Sequence, residues 1–255
     1  MKTKILFSAL IIAMSATLFS CKEKDKDEPK KAESTTVDIK FVFSGKYAGS
    51  KLEFNKDYIT SAVDTIRFER IKYLLSNFVL VDNNNKVVEM NNQYAYLNLG
   101  ENRDTFTLRN VPKGNYKTIR MNVGLDSAVN FGDPSQYELN HALSPSLNNL
   151  HWGWAGGYIF NVVEGYFNNK GSKAFSFHIA ILKNRRTNNF AQNFNVTKNG
   201  TMTFEINADK YFTNVINYSL IIDGSMSHSG NVDPIMDRFI QNAPGVIEFV
   251  NYSEN

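Results

Sequence analysis

The chain has 255 residues, a formal net charge of +3, and aromatic residues at 13% of its length. Its basic residues are scattered rather than clustered, so no electrostatic footprint for a phosphate backbone is present and no nucleic-acid partner is expected. The length suffices for one sizeable core, and the richness in Phe and Tyr suits a β-protein.

The first 20 residues have the features of a secretory signal peptide. Lys2 and Lys4 precede an apolar run from Ile5 to about Ala13, which is too short for a bilayer-spanning helix of about 20 residues. The only cysteine, Cys21, stands where the signal should end, and LFSC resembles a bacterial lipobox. We therefore expect Cys21 to be the lipidated first residue of the mature chain. A plain secreted protein and an uncleaved anchor are the alternatives.

Residues 21–36 follow as a flexible charged tether. The run KEKDKDEPKKAESTT has no large apolar residue and cannot bury enough surface to offset the entropy of ordering. The run also resembles the surface-export signals of Bacteroidetes-type lipoproteins, although a solvated spacer would look the same. We expect a lipid anchor in the cell envelope, most simply in the outer membrane, on its periplasmic or its surface face.

Residues 37–255 are predicted to form a single all-β domain. VDIKFVF (37–43) alternates apolar and polar residues, and 65–90 gives one or two strands with a polar turn at 82–85. In 105–127, two alternating runs are joined by a Pro/Gly turn at 111–115, and further strands follow at 174–183 and 201–212. Only 233–242 predicts a convincing helix, with Asp233 as N-cap and Pro234 at the first helical position. This pattern is typical of a β-sandwich or barrel with one or two short helices.

The stretch LHWGWAGGYIFNVVEGYF (150–167) concentrates unusual residues. If it were fully extended, Trp152, Trp154 and Tyr158 would share one face and His151 would point to the other. Its glycines instead favour a loop that runs into a strand near residue 156 or 157, which would let His151 and the tryptophans converge.

His178 is the second unusual histidine. In AFSFHIAI, the apolar Phe and Ile residues form one strand face, and His178 lies on the other among Ala and Ser. A histidine hydrogen-bonded on a solvated sheet face is the ordinary interpretation. Two imidazoles from separate segments would also suit copper or zinc, so a metal site is the functional alternative.

The order of these segments resembles the MbnP-like family of copper-binding proteins, whose exported members include bacterial lipoproteins. The resemblance rests on FVFSG, RFERIKYLLSNFVLVD, VPKGNYKTIRMNVGLDSAVN, LHWGWAGGYIFNVVEG and FSFHIA, which span roughly residues 39–181. It implies copper binding through imidazoles, a tryptophan oxidised to kynurenine, and a dihaem peroxidase-like partner that makes this modification. His178 is then a ligand candidate, and Trp152 and Trp154 are candidates for modification. Leu150-His151 stands where Met and an aromatic residue are common, which offers His151 as a second ligand.

The remaining candidates carry weaker signals. His141 could approach the site from a polar loop, and Asp126 and Tyr158 could line it, whereas His228 is expected to be solvated in a Ser/Gly loop. Glu164 is expected to be a paired, structural carboxylate. No nucleophile elbow, zinc-binding HExxH helix or phosphate loop occurs, so we expect no enzyme. A surface adhesion or glycan-binding module that uses the Trp/Tyr cluster is the alternative function.

Overall fold

Fourteen β-strands, three short α-helices and five 3-10 helices occur in the described residues of the computed structural model, which are 34–153, 156–168 and 172–255. The strands are β1 (Thr36–Tyr47), β2 (Ser50–Lys51), β3 (Asp57–Ile59), β4 (Thr65–Asp82), β5 (Val87–Met90), β6 (Ala95–Asn98), β7 (Thr105–Pro112), β8 (Gly114–Val123), β9 (Ile159–Phe167), β10 (Lys173–Ala180), β11 (Arg186–Val196), β12 (Gly200–Asn207), β13 (Met226–Ser227) and β14 (Ile247–Glu254). The α-helices are α1 (Ser127–Asn130), α2 (Pro145–Asn148) and α3 (Pro234–Phe239). The 3-10 helices are Leu99–Glu101, Pro134–Gln136, Leu182–Asn184, Ala208–Tyr211 and Ile240–Asn242.

Several sequence predictions concern residues outside these ranges. The signal peptide at 1–20, Cys21, the tether up to residue 33, and Trp154 all lie outside the described residues.

The strands form two sheets. The first has the order β14-β12-β1-β2, with β7 also paired to β1, and the second has the order β11-β8-β4-β9-β10-β13, with β3, β5 and β6 also paired to β4. The rings of Phe41 on β1 and Phe78 on β4 meet edge to face with centroids 5.6 Å apart, so the sheets pack on each other. In the described chain the end strands β11 and β13 do not pair with each other. The predicted all-β sandwich is confirmed.

β1 shows why the alternating pattern predicts the architecture. Ile39, Phe41 and Phe43 are fully buried, while Lys40 between them is exposed. β1 lies between two partners, since Ile39 pairs with Gly200 of β12 in parallel and with Leu108 of β7 in antiparallel orientation. The N-terminal strand therefore lies inside its sheet.

The predicted turn at 111–115 is present and has an additional role. β7 ends at Pro112 in the first sheet, and β8 begins at Gly114 in the second. The two strands are consecutive in the chain but do not pair with each other. The turn therefore carries the chain from one layer of the sandwich to the other.

The predicted helix is α3. Its N-cap is Asp233, whose carboxylate accepts a hydrogen bond from the backbone amide of Met236 at 2.9 Å, and Pro234 is its first residue. Within the part of the chain that the structure describes, no helix combines the length and apolar character that crossing a bilayer requires.

The edge of the second sheet positions the candidate site. On β10, Phe175, Phe177 and Ile179 are buried in the core, and His178 faces outward beside Ser176, as the alternation predicts. β9 pairs with one side of β10, and the two-residue β13 pairs in parallel with the other. β13 thus brings the following loop alongside the outer face of β10.

Candidate metal centre

Two imidazoles meet at this edge. The Nδ1 atoms of His178 and His228 are 3.0 Å apart, and their ring centroids are separated by 4.7 Å at an interplanar angle of 72°. His178 comes from β10, and His228 directly follows β13. Since Phe177 pairs with Ser227 in parallel register, the residues that follow each of them are neighbours on the same side.

A carboxylate orients the first imidazole. Glu164 on β9 contacts His178 through Oε1 and Nε2 at 2.6 Å, and Ser176 Oγ donates to the same oxygen at 3.0 Å. Arg70 Nε donates to the other oxygen at 2.8 Å. The hydrogen bond with His178 is the main cause of a lowered pKa of Glu164; burial opposes it, and Ser176 and Arg70 reinforce it. The carboxylate is therefore ionised and acts as an acceptor.

This hydrogen bond selects the tautomer of His178. An ionised carboxylate can only accept, so Nε2 of His178 carries a proton; in the neutral form of this ring, Nδ1 presents its lone pair to His228. His228 then donates its Nδ1–H across the 3.0 Å contact. A metal ion bound by both rings would take the place of that single proton.

Trp152 lies beside the pair. Its ring centroid is 6.4 Å from that of His178, with the planes tilted by 44°, and 39% of the side chain is exposed. Trp152 is thus both close to the His178 imidazole and accessible from outside.

His151 has different neighbours. Its Nδ1 accepts a hydrogen bond from the backbone amide of Gly153 at 3.0 Å, and its ring packs edge-on against Tyr158 with centroids 4.5 Å apart. Burial lowers the pKa of His151. Tyr158 is itself fully buried, and its hydroxyl donates to the Leu143 carbonyl at 2.7 Å. The described contacts therefore join His178 to His228 and place His151 in a separate aromatic packing.

The last two candidates make local contacts. The ring of His141 stacks on Tyr137 with centroids 4.6 Å apart, and its Nδ1 accepts from the Leu143 amide at 3.1 Å. Asp126 caps α1 by accepting a hydrogen bond from the Val129 amide at 3.0 Å. Both side chains have ordinary structural roles in these contacts.

The sequence profile of the MbnP family matches residues 36–227. The chain belongs to the MbnP family. The resemblance stated on residues 39–181 is thereby confirmed, and the match extends through β13 to the residue before His228. Among solved structures, MbnP from Methylosinus trichosporium is similar, with 17% sequence identity, coverage of 78% of this chain and 83% of that chain, and a TM-score of 0.49. No curated protein sequence matches the chain.

His228 is the residue of this MbnP-family chain that sequence reasoning missed. It is exposed, as expected for its loop, but its ring contacts His178. The strand that brings it there has two residues, Met226 and Ser227, and so few residues show no alternating pattern. The surrounding sequence GSMSHSGN marks His228 as a histidine in a Ser/Gly loop but does not indicate that its partner is His178.

Few side chains of the types that bind metals meet at this candidate centre. In the described part of the chain, no three or more His, Cys, Asp and Glu side chains are grouped so that they could hold a metal ion. The candidate nitrogen ligands that come together in the described residues are therefore the imidazoles of His178 and His228. Glu164 hydrogen-bonds to Nε2 of His178, on the side of the ring away from His228.

Proposed function

We propose that this protein binds copper through His178 and His228, without catalysing a reaction. The observation that carries the proposal is the 3.0 Å separation of their Nδ1 atoms, combined with the carboxylate on the opposite nitrogen of His178. A histidine ligand that donates its second N–H to a carboxylate is the usual arrangement in metal sites, because the carboxylate fixes the tautomer and raises the basicity of the ring.

The distance fits two ligands on one ion. Metal–imidazole bonds are about 2.0 Å long, so two nitrogens 3.0 Å apart subtend an angle of about 97° at a shared metal. This angle suits neighbouring ligands of a tetrahedral or square-planar ion. A linear two-coordinate ion would need the nitrogens about 4 Å apart, and hence an opening of about 1 Å.

Membership of the MbnP family supports copper over zinc, which imidazoles also bind well. The further coordination positions fall to water or to an oxidised form of Trp152, whose ring lies 6.4 Å from that of His178. We extend the proposal to oxidation of Trp152 by a dihaem peroxidase-like partner, as the family resemblance implies. The exposure of Trp152 supports access by such a partner.

The cellular setting is part of the same proposal. Lipidation of Cys21 would hold the protein in the cell envelope, with residues 22–36 as the tether. Cys21→Ser should then shift the protein from the detergent phase to the aqueous phase in phase partitioning. Unchanged detergent partitioning of the variant would contradict lipidation.

Copper stoichiometry of three alanine variants tests the ligand assignment. Protein isolated from its native host should contain copper, and His178→Ala and His228→Ala should each lose most of it. His151→Ala is the matched comparison, because it removes a nearby imidazole whose described contacts are with Gly153 and Tyr158. Melting temperature, measured on the same samples, shows that the variants remain folded.

The outcomes separate the alternatives. Loss of copper in His151→Ala with retention in His228→Ala would overturn the assignment of His228 and restore the ligand pair expected from sequence. Full copper content in folded His178→Ala would overturn the proposal as a whole.

A further inference from the structure

Three turns at one end of the sandwich carry exposed aliphatic side chains, which we call the apolar tips. They are Val63 in the turn before β4, Val215 in the bridged turn 213–217, and Ile221 and Ile222 in the turn that follows. Their exposed fractions are 80%, 65%, 65% and 84% in that order. Turns usually take Gly, Asn, Asp or Ser, which supply positive φ or hydrogen-bond the local backbone. The apolar tips therefore need an explanation other than turn formation.

The three turns lie side by side. Thr213 Oγ1 donates to Ser61 Oγ at 2.9 Å, which joins the first turn to the second. Asp64 Oδ2 accepts from the Leu220 amide at 2.7 Å, which joins the first turn to the third. The apolar tips thus form one cluster and are not the scattered exposed residues that any surface contains.

The backbone holds the tips outward at a cost. Asp223 closes the third turn, because its carboxylate accepts from the Ser219 amide at 2.9 Å and its own amide donates to the Ser219 carbonyl at 2.8 Å. Val63 has a φ of +65°, a left-handed conformation that is unfavourable for a β-branched residue and easy for Gly or Asn. Gly or Asn would serve the turn better, so Val63 indicates a use for its apolar side chain.

The carboxylates beside the tips are engaged. Asp64 is buried and holds the Leu220 amide, and Asp223 also pairs with Arg238 Nε at 2.7 Å. Neither carboxylate therefore has to give up free hydration when the tips enter an apolar phase.

The area and character of the cluster favour a bilayer over a protein partner. Four aliphatic side chains offer at most roughly 500 Å², and a stable protein interface needs about 800 Å² on each partner. Aromatic residues, Met and Arg, which are enriched in protein interfaces, do not occur among the four tips. Separate projecting side chains suit a fluid apolar phase, which needs no complementary shape.

The chain length from Cys21 allows contact with the same membrane that lipidation would provide. Tyr47 at the end of β1 donates its hydroxyl to the Ile59 carbonyl at 3.0 Å, so the tips lie at that end of β1. The 12 residues of β1 separate them from Ser34 by roughly 36–40 Å. Residues 22–33 reach at most roughly 40 Å. A bilayer that holds Cys21 can therefore meet the tips when β1 lies along its surface.

We propose that the apolar tips insert into the surface of a lipid bilayer. This contact is separate from the copper centre. It rests on the proposed lipidation of Cys21 only in that lipidation brings the bilayer close.

Tryptophan quenching by brominated lipid tests the proposal. Ile222→Trp protein from the native host is mixed with vesicles of phosphatidylethanolamine and phosphatidylglycerol, with or without bromine on the acyl chains. The unaltered protein is measured in parallel to subtract its own two tryptophans. The introduced tryptophan should be strongly quenched by the brominated vesicles. Adding Val215→Asp should remove most of this quenching, because a carboxylate at the neighbouring tip resists dehydration.

Val250→Trp is the matched control, since Val250 is a 49% exposed β-branched residue on β14. Its introduced tryptophan should not be quenched. Absence of quenching in Ile222→Trp overturns the proposal; if that protein still floats with the vesicles, lipidation holds while tip insertion fails. Equal quenching in Val250→Trp overturns it as non-specific contact. A blue shift of the Ile222→Trp emission that grows with protein concentration without vesicles overturns it in favour of a second copy of the chain.

Discussion

Glu164→Gln isolates the effect of the carboxylate behind His178. The substitution keeps the shape of the side chain but removes the charge that accepts from His178, Ser176 and Arg70 at 2.6, 3.0 and 2.8 Å. Arg70 is half-exposed, so its ion pair contributes less than about 1 kcal/mol. The bond to His178 is the shorter one and both of its partners are mostly buried, so most of the effect arises there.

The expected effect on copper is a 10- to 100-fold loss of affinity, which corresponds to about 1.4–2.7 kcal/mol. Without the charge, the tautomer of His178 with an unprotonated Nδ1 is no longer strongly favoured. Copper binding must then also offset the free energy of adopting that tautomer, so the affinity falls. Competition titration against a copper chelator measures the affinity.

Glu248→Gln is the control, because Glu248 lies on β14 and pairs with Lys210. It should bind copper as tightly as the unaltered protein. If folded Glu164→Gln also binds copper within twofold of the unaltered protein, the carboxylate does not orient the ligand and the reasoning is refuted.

Three further predictions concern the scaffold. Asp233→Ala should lower stability by about 0.5–2 kcal/mol in denaturant titration, because α3 loses its N-cap. Burial raises the pKa of Asp233, but hydrogen bonds from a serine hydroxyl and two backbone amides outweigh burial and hold the pKa below the ordinary 3.8. The stabilisation by Asp233 is therefore complete above that pH and is lost as the pH falls through the folded-state pKa. An unchanged acid transition in the variant would contradict this prediction. Phe177→Ala should lower the free energy of unfolding by about 3–5 kcal/mol, because this fully buried ring stacks on Phe239 with centroids 3.7 Å apart. A loss below about 1 kcal/mol would show that neighbouring side chains fill the space left by the ring. Gly165→Ala should prevent normal folding, since its Cβ would lie 2.0 Å from the Arg67 carbonyl oxygen, and a native melting temperature would disprove the close approach.

Features with local causes could be predicted from the sequence. α3 was predictable because its cap, its Pro and its apolar residues are contiguous, and the outward position of His178 follows from the alternation of β10 alone. The turn at 111–115 was predictable as a turn, but its passage between sheets depends on the partners of β7 and β8, which alternation does not specify.

The candidate site could be predicted only in part, because its contacts also depend on which strands pair. His178 and Trp152 stood out by their residue type and immediate neighbours. The contact between His178 and His228 joins residues 50 positions apart through a parallel pair of two residues, and no periodicity reports such pairing. His151 shows the converse, since its closeness in sequence to Trp152 suggested a shared site, whereas its ring packs on Tyr158.

The central place of β1 also affects how the protein is made. β1 is synthesised early, but Ile39 pairs with Gly200, which is added roughly 160 residues later. Pairing with β7 can satisfy one side of β1 sooner, but the other side stays open until β12 has emerged. During this time the Phe-rich face of β1 is open to non-native pairing, so we expect folding yield to depend on a chaperone that shields this segment.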